Sequence, residues 1–183
     1  MRAVRHGLGA IFGTALCVAA AVTVADRRAD VELRDDCDPA TFNAVLGAGT
    51  CVGNGGTTFQ EFQAELADKQ EVGAWKNNPD DFHIAGGAIS ALNIGGEPHT
   101  FTEVAQFGGG FVAPLNDGSG NPIAAPECAV TAADGSLTPT AGAVATTARA
   151  GEVVRSGSLS IGTHRFQCCI HPWMRTEVTV RGR

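Results

Sequence analysis

The sequence predicts an all-β fold, a β-sandwich preceded by an N-terminal extension that carries one short α-helix. Three observations lead there. From Trp75 onward the apolar residues recur with a period of two, the period of a strand with one buried face. Glycine and proline punctuate these short runs, as turns between strands require. Only one stretch, residues 53–70, has a helical signature, so helix-on-helix architectures are excluded.

The chain of 183 residues opens with Arg2 and Arg5, followed by an uncharged, apolar and small-residue stretch from Leu8 to Ala25. This is the order of a secretory signal, with small-residue exits near positions 21 and 25. A retained membrane anchor is the alternative, opposed by Arg27 and Arg28 on the far side. Residues 1–25 are therefore assigned to a signal peptide, and the protein is expected to be exported to a periplasmic, cell-surface or extracellular location. Membrane association is expected only if this segment is kept.

Residues 26–74 form the extension. Its first part, 26–39, is charged and reads as a mobile lead-in, and residues 41–47 are a short apolar run ending in glycine. The helix, at about 58–70, is marked by a capping box of Thr58 with Glu61. Phe59, Phe62 and Leu66 share one face, read as core packing. Residues 75–183 form the sandwich. Within it, 81–104 reads as three strands separated by glycine turns, and 151–168 and 176–180 as further strands. Residues 108–150, rich in Gly, Ala, Thr and Pro, keep no period and read as a long excursion with one short strand at most.

Loss of residues 1–25 leaves 11 basic residues against 19 acidic ones, a net charge of −8. Such a surface excludes nucleic-acid binding and suits a partner protein with a basic face. Export also governs the cysteines. Of six, Cys17 leaves with the signal; five remain outside the cytosol, where thiols pair, so one sulfur is left for another task.

Alternation identifies that sulfur. In the run Thr163 to Cys169, residues 164, 166 and 168 share one face, and 165, 167 and 169 the other. Phe166 belongs to the core and Arg165 and Gln167 to solvent, so Cys168 faces inward and Cys169 outward. From Cys168 the pattern is Cys-x2-His-x2-Met, which lets a turn bring Cys168, His171 and Met174 round one point. His99, after the Gly95-Gly96 turn and at the start of a strand, supplies a fourth ligand. Thiolate, imidazole and thioether are ligands for copper rather than for magnesium, calcium or manganese. Two histidines and a cysteine in a plane with a weak axial methionine is the arrangement used for one-electron transfer.

Residues 85–101 and 162–180 together resemble the cupredoxins, the blue copper proteins of the plastocyanin, amicyanin and pseudoazurin type. The resemblance covers about residues 75–183. It implies a Greek-key sandwich holding one type 1 copper through His99, Cys168, His171 and Met174. It also implies that electrons pass through His171 as the more exposed ligand, with Pro172 and Trp173 in an apolar docking patch. Thr100 stands where that family often has Asn, and its hydroxyl is the group available to pin the cysteine loop.

Zinc held by His99, Cys168, Cys169 and His171 conflicts with the outward direction of Cys169 and leaves Met174 unused. His164 is expected to be a buried, hydrogen-bonded histidine and His83 a surface one. Glu97 is expected to be solvated, and Trp173 to cover the metal. With Cys168 assigned to metal, Cys37, Cys51, Cys128 and Cys169 allow three pairings, among which sequence does not choose; Cys37–Cys51 with Cys128–Cys169 needs the least rearrangement. The function expected is that of an exported, monomeric electron carrier serving redox partner proteins. The alternatives are a copper scavenging or delivery protein and a small copper redox enzyme. No His-x-His pair for additional copper centres occurs in the sequence.

Overall fold

The computed structural model describes residues 29–182. The signal assigned to residues 1–25 lies outside them. Among the described residues no helix is long and apolar enough to cross a membrane.

Two four-stranded sheets share one core. The first has the order β10-β4-β1-β2, built from β1 (Val31–Arg34), β2 (Lys76–Asn78), β4 (Ser90–Asn93) and β10 (Val153–Arg155). The second has the order β3-β12-β11-β6, from β3 (Asp81–Ile84), β6 (Thr102–Val104), β11 (Gly162–Gln167) and β12 (Arg175–Val180). Alternation fixes which side of each strand is buried: Val31 and Leu33 on β1, and Thr176, Val178 and Val180 on β12, point into the shared core. Phe101 stacks on Phe166 between the sheets, with ring centroids 4.5 Å apart. The sandwich expected from the sequence is present.

The division at residue 74 needs correction. Residues 29–39 are not a mobile lead-in, because β1 lies inside the first sheet, parallel to β4 and antiparallel to β2. Val31 and Leu33 are fully buried there. The extension thus supplies a strand of the sandwich and is continuous with its core.

Two helices follow β1. In α1 (Pro39–Leu46) the Asp38 side chain accepts the N–H groups of Ala40 and Thr41, Pro39 opens the first turn, and Gly47 ends the helix at φ 107°. α2 (Phe59–Lys69) has the expected capping box of Thr58 and Glu61. Phe42 of α1 meets Phe59 and Phe62 of α2 at centroid distances of 5.2 and 5.6 Å, and Trp75 closes the cluster 4.8 Å from Phe62. A disulfide between Cys37 and Cys51 ties the two ends of the α1 segment.

The excursion is more ordered than its composition indicates. It contains α3 (Ala113–Gly118), a hairpin of β7 (Ala129–Thr131) and β8 (Leu137–Pro139), and α4 (Ala141–Ala145). It then returns through β9 (Thr147–Ala148), which pairs with β5 (His99–Thr100). Val104, Ala125, Cys128, Ala143 and Cys169 make a second small core under it. These elements are too short to show a period in sequence.

Candidate metal centre

His99, Cys168 and His171 come together at one end of the sandwich, with their donor atoms within 4.8 Å of one another. β5 carries His99. The turn before it is set by Asn93, whose Nδ2 donates to the carbonyls of Glu97 (2.7 Å) and Ala148 (2.9 Å) and whose Oδ1 accepts from Gly95 N–H (2.9 Å). Cys168 follows the last residue of β11. Its N–H donates to the Met174 carbonyl (3.0 Å), and Met174 N–H donates to the His171 carbonyl (2.9 Å), so the Cys-x2-His-x2-Met segment closes on itself. Thr100 pins this loop, in the place the family resemblance gives to Asn, through its Oγ1, which accepts the Cys169 N–H at 2.7 Å.

Cys168 Sγ lies 3.8 Å from Nδ1 of His99 and 3.8 Å from Nδ1 of His171. Backbone N–H groups of Thr100 and His171 donate to the sulfur, each at 3.4 Å. Cys168 is the free cysteine among the described residues and is fully buried. Burial opposes its ionisation, yet the hydrogen bonds and charges of His171 and His99 outweigh that cost and hold the thiol well below its usual range. The pocket is built for a thiolate. Met174 is fully buried at the far end of the same loop.

The outer nitrogens of both imidazoles are also engaged. His99 Nε2–H donates to Asp35 Oδ2 at 2.8 Å, and Asp35 is itself held by the N–H groups of Gly96 and Glu97. His171 Nε2 lies 3.5 Å from Glu97 Oε2, which also accepts the Trp75 indole N–H at 2.7 Å. Burial works against a charged ring at His171, but Cys168 and Glu97 outweigh it and raise its pKa to about 10. At His99 the burial cost is likewise exceeded by Asp35 and Cys168. With Nε2 facing a carboxylate, Nδ1 of each ring is turned toward the sulfur, the orientation that ligation requires.

Several expectations fail here. His171 is the more exposed of the expected ligands, at 2% against 0% for His99, Cys168 and Met174, but it does not open to solvent, because Phe62 of α2, Trp75 and Trp173 pack round its ring. Glu97 is 4% exposed rather than solvated, since both the indole and the imidazole claim its carboxylate. Gln167 does not face solvent: its side chain is sealed beneath the excursion, bonded to both backbone groups of Gly108. Cys169 does point away from Cys168, but into the second core, where it forms a disulfide with Cys128 and cannot ligate a metal. His83 is exposed, as expected. His164 is half-buried near the start of β11 and bonded to Glu103 and the Ser160 carbonyl.

No family model matches the chain, and no curated protein matches it. In fold this chain is similar to cupredoxins. A purple cupredoxin from Nitrosopumilus maritimus is similar over 60% of this chain and 86% of its own, at 16% identity and a TM-score of 0.36. Amicyanin from Paracoccus versutus is similar over 61% of this chain and 77% of its own, at 14% identity and a TM-score of 0.34. A copper-containing nitrite reductase from Thermus scotoductus matches 59% of this chain with 20% of its own, at 15% identity and a TM-score of 0.34.

The donor spacing itself tests whether an ion fits. With a metal–sulfur bond of about 2.3 Å and metal–nitrogen bonds of about 2.05 Å, a trigonal angle of about 120° puts sulfur and nitrogen about 3.8 Å apart, and a tetrahedral angle about 3.6 Å. Both observed separations are 3.8 Å. The thiolate therefore lies from each imidazole nitrogen at a separation that one bound ion would span.

Proposed function

We propose that the chain is an exported copper protein that carries single electrons, with His99, Cys168, His171 and Met174 holding one type 1 copper. The observation that carries this reading is the pair of 3.8 Å separations from a buried, deprotonatable sulfur to two Nδ1 atoms. A soft thiolate with two imidazoles, and a methionine within the same loop, is a copper set rather than a zinc or magnesium one. Copper, when bound, supplies the one-electron couple. The residues supply rigidity: Asp35 and Glu97 fix the rings, Thr100 fixes the cysteine loop, and two backbone N–H groups hold the sulfur. A site fixed in this way changes little when an electron arrives.

Burial supports a carrier over the alternatives. His99, Cys168 and Met174 are fully buried and His171 nearly so. A substrate has no open position to take, and a delivery site would offer its ligands at the surface. Its electron partners would be redox proteins with basic faces, met by a monomer. The two disulfides suit an oxidising compartment.

Titrating the metal-free protein with copper(II) tests the proposal. One equivalent is expected to produce an intense visible charge-transfer band and a reversible one-electron wave. Cys168→Ser is expected to lose the band while keeping the fold, as read by circular dichroism. A colourless copper complex of the wild-type protein refutes the assignment.

A further inference from the structure

Thr100 lies between two ligand segments and touches both. It follows His99 in β5, its N–H donates to Cys168 Sγ at 3.4 Å, and its Oγ1 accepts the Cys169 N–H at 2.7 Å. The second contact fixes the peptide plane between Cys168 and Cys169, and with it the direction in which the sulfur leaves the backbone. A threonine hydroxyl is a weak pin by itself, because rotation about χ1 offers it more than one staggered place. Here it is held. Thr102, at the start of β6, donates its hydroxyl proton to Thr100 Oγ1 at 3.1 Å. A hydroxyl has one proton to give, so at the next contact, 2.7 Å long, the donor is Thr146, the C-cap residue of α4. The Thr146 carbonyl accepts the N–H of Phe101 at 3.0 Å, which ties the corner between α4 and β9 to the residue between the two other threonines. Thr100 is fully buried, Thr102 is 5% exposed and Thr146 is half-buried, so this row of hydroxyls runs from the metal centre toward the surface.

We propose that Thr102 and Thr146 are positioning residues of the metal centre: their hydroxyls hold the Thr100 oxygen, and through it the Cys169 amide, at the setting that keeps the Cys168 sulfur equidistant from His99 and His171. The links lie in the interior, where a polar group that loses its partner is costly, so the row favours one arrangement. It also gives the end of the long excursion a task, since α4 stops where Thr146 must stand and β9 then pairs with the strand that carries His99. A side chain without a hydroxyl at 102 breaks the row in its middle and leaves Thr100 free to turn. The row itself needs no metal. Its consequence for copper rests on the proposed function.

Amide hydrogen exchange of the metal-free protein, read residue by residue by NMR, tests the row, and the visible band and reduction potential of the copper-loaded protein test its effect. Thr102→Val keeps the shape and removes the hydroxyl. It is expected to speed exchange of the Cys169 amide about fivefold, as the loss of one hydrogen bond of about 1 kcal/mol would, and to leave the amides of β1 unchanged. With copper bound, its band and potential are expected to move from the wild-type values. Thr102→Ser, which restores the hydroxyl, is expected to bring all three readings back. Thr146→Val, at the half-buried end, is expected to act in the same direction as Thr102→Val, and it decides the matter should Thr102→Val not fold. A Cys169 amide or a copper band indifferent to the valines, a serine variant that behaves like the valine one, or faster exchange in β1 as well overturns the proposal. A Cys169 amide that responds as expected, in a protein whose wild type gives no visible band with copper, defeats the copper reading and leaves the row of hydroxyls standing.

Discussion

Glu97→Gln is expected to raise the reduction potential of the copper-loaded protein by about 100 mV. Glutamine keeps the shape and an oxygen for the Trp75 indole, so the substitution removes a charge and little else. The Glu97 carboxylate lies 3.5 Å from His171 Nε2. Across the imidazole ring and one coordinate bond, that places its charge about 7 Å from an ion held at Nδ1. At an effective dielectric of about 20, a unit charge at about 7 Å is worth about 2.4 kcal/mol. Since about 59 mV corresponds to a tenfold change for one electron, about 2.4 kcal/mol is about 100 mV. The sign follows from charge: a carboxylate favours the more positive, oxidised ion, so its removal favours the reduced one. Asp35→Asn acts on His99 through the shorter 2.8 Å contact and is expected to move the potential in the same direction. Asp134→Asn, in the exposed β7–β8 turn, is the control and should move nothing. Voltammetry on the three variants, with the visible band confirming an intact centre, decides the matter. An unchanged or lowered potential in Glu97→Gln would mean that its carboxylate does not act on the metal through His171.

Three further outcomes are expected. Replacing Cys128 and Cys169 together by serine opens a loop closed across 41 residues, a loss of about 4 kcal/mol by chain entropy; opening Cys37–Cys51, across 14 residues, should cost about 3 kcal/mol, and urea unfolding under non-reducing conditions compares them. At Gly110 an added Cβ would sit 1.8 Å from the Cys169 carbonyl oxygen, so Gly110→Ala must displace the backbone next to Cys168; destabilisation of about 1–3 kcal/mol and an altered visible band are expected. Glu103 and the Ser160 carbonyl raise the pKa of His164, so the stability they confer is fully present below the unfolded value of about 6.5 and fades as pH rises through the folded one. Wild type should therefore lose more stability than His164→Gln between pH 6 and pH 8 in urea titrations, and parallel losses would remove His164 as the cause.

The cluster of His99, Cys168 and His171 was legible because its signals are local. Cys168 and His171 lie three positions apart in one loop, and strand alternation puts Cys168 and Cys169 on opposite faces. His99 was reachable from a turn and a following strand. The carboxylates were not, since Asp35 is 64 positions from its histidine and no sequence pattern joins them. β1 did carry a signal, the alternation of Val31, Glu32, Leu33 and Arg34, but the surrounding charges outweighed it in a four-residue window. Gln167 and Glu97 were placed in solvent by residue type alone. Each is buried because a segment distant in sequence arrives to satisfy it, the Gly108–Gly109 backbone for one and Trp75 with His171 for the other.

That same long-range contact explains why the N-terminal segment belongs to the site. β1 enters the first sheet between β2 and β4 and delivers Asp35 to the turn before His99, where Gly95 leaves no room for a side chain: a Cβ there would lie 2.0 Å from Asp35 Oδ2. Two residues later the Cys37–Cys51 disulfide anchors α1, and α1 carries Phe42 into the ring cluster that positions Phe62 beside His171. Strand, carboxylate, disulfide and helices therefore act in sequence on one histidine pair. A sandwich deprived of residues 29–74 would lose a strand from the middle of its first sheet, the clamp on His99 and the cover on His171 at once. It should fail to fold rather than survive as a smaller copper domain, which limited proteolysis can check: cleavage between α2 and Trp75 should release no stable, copper-binding C-terminal fragment.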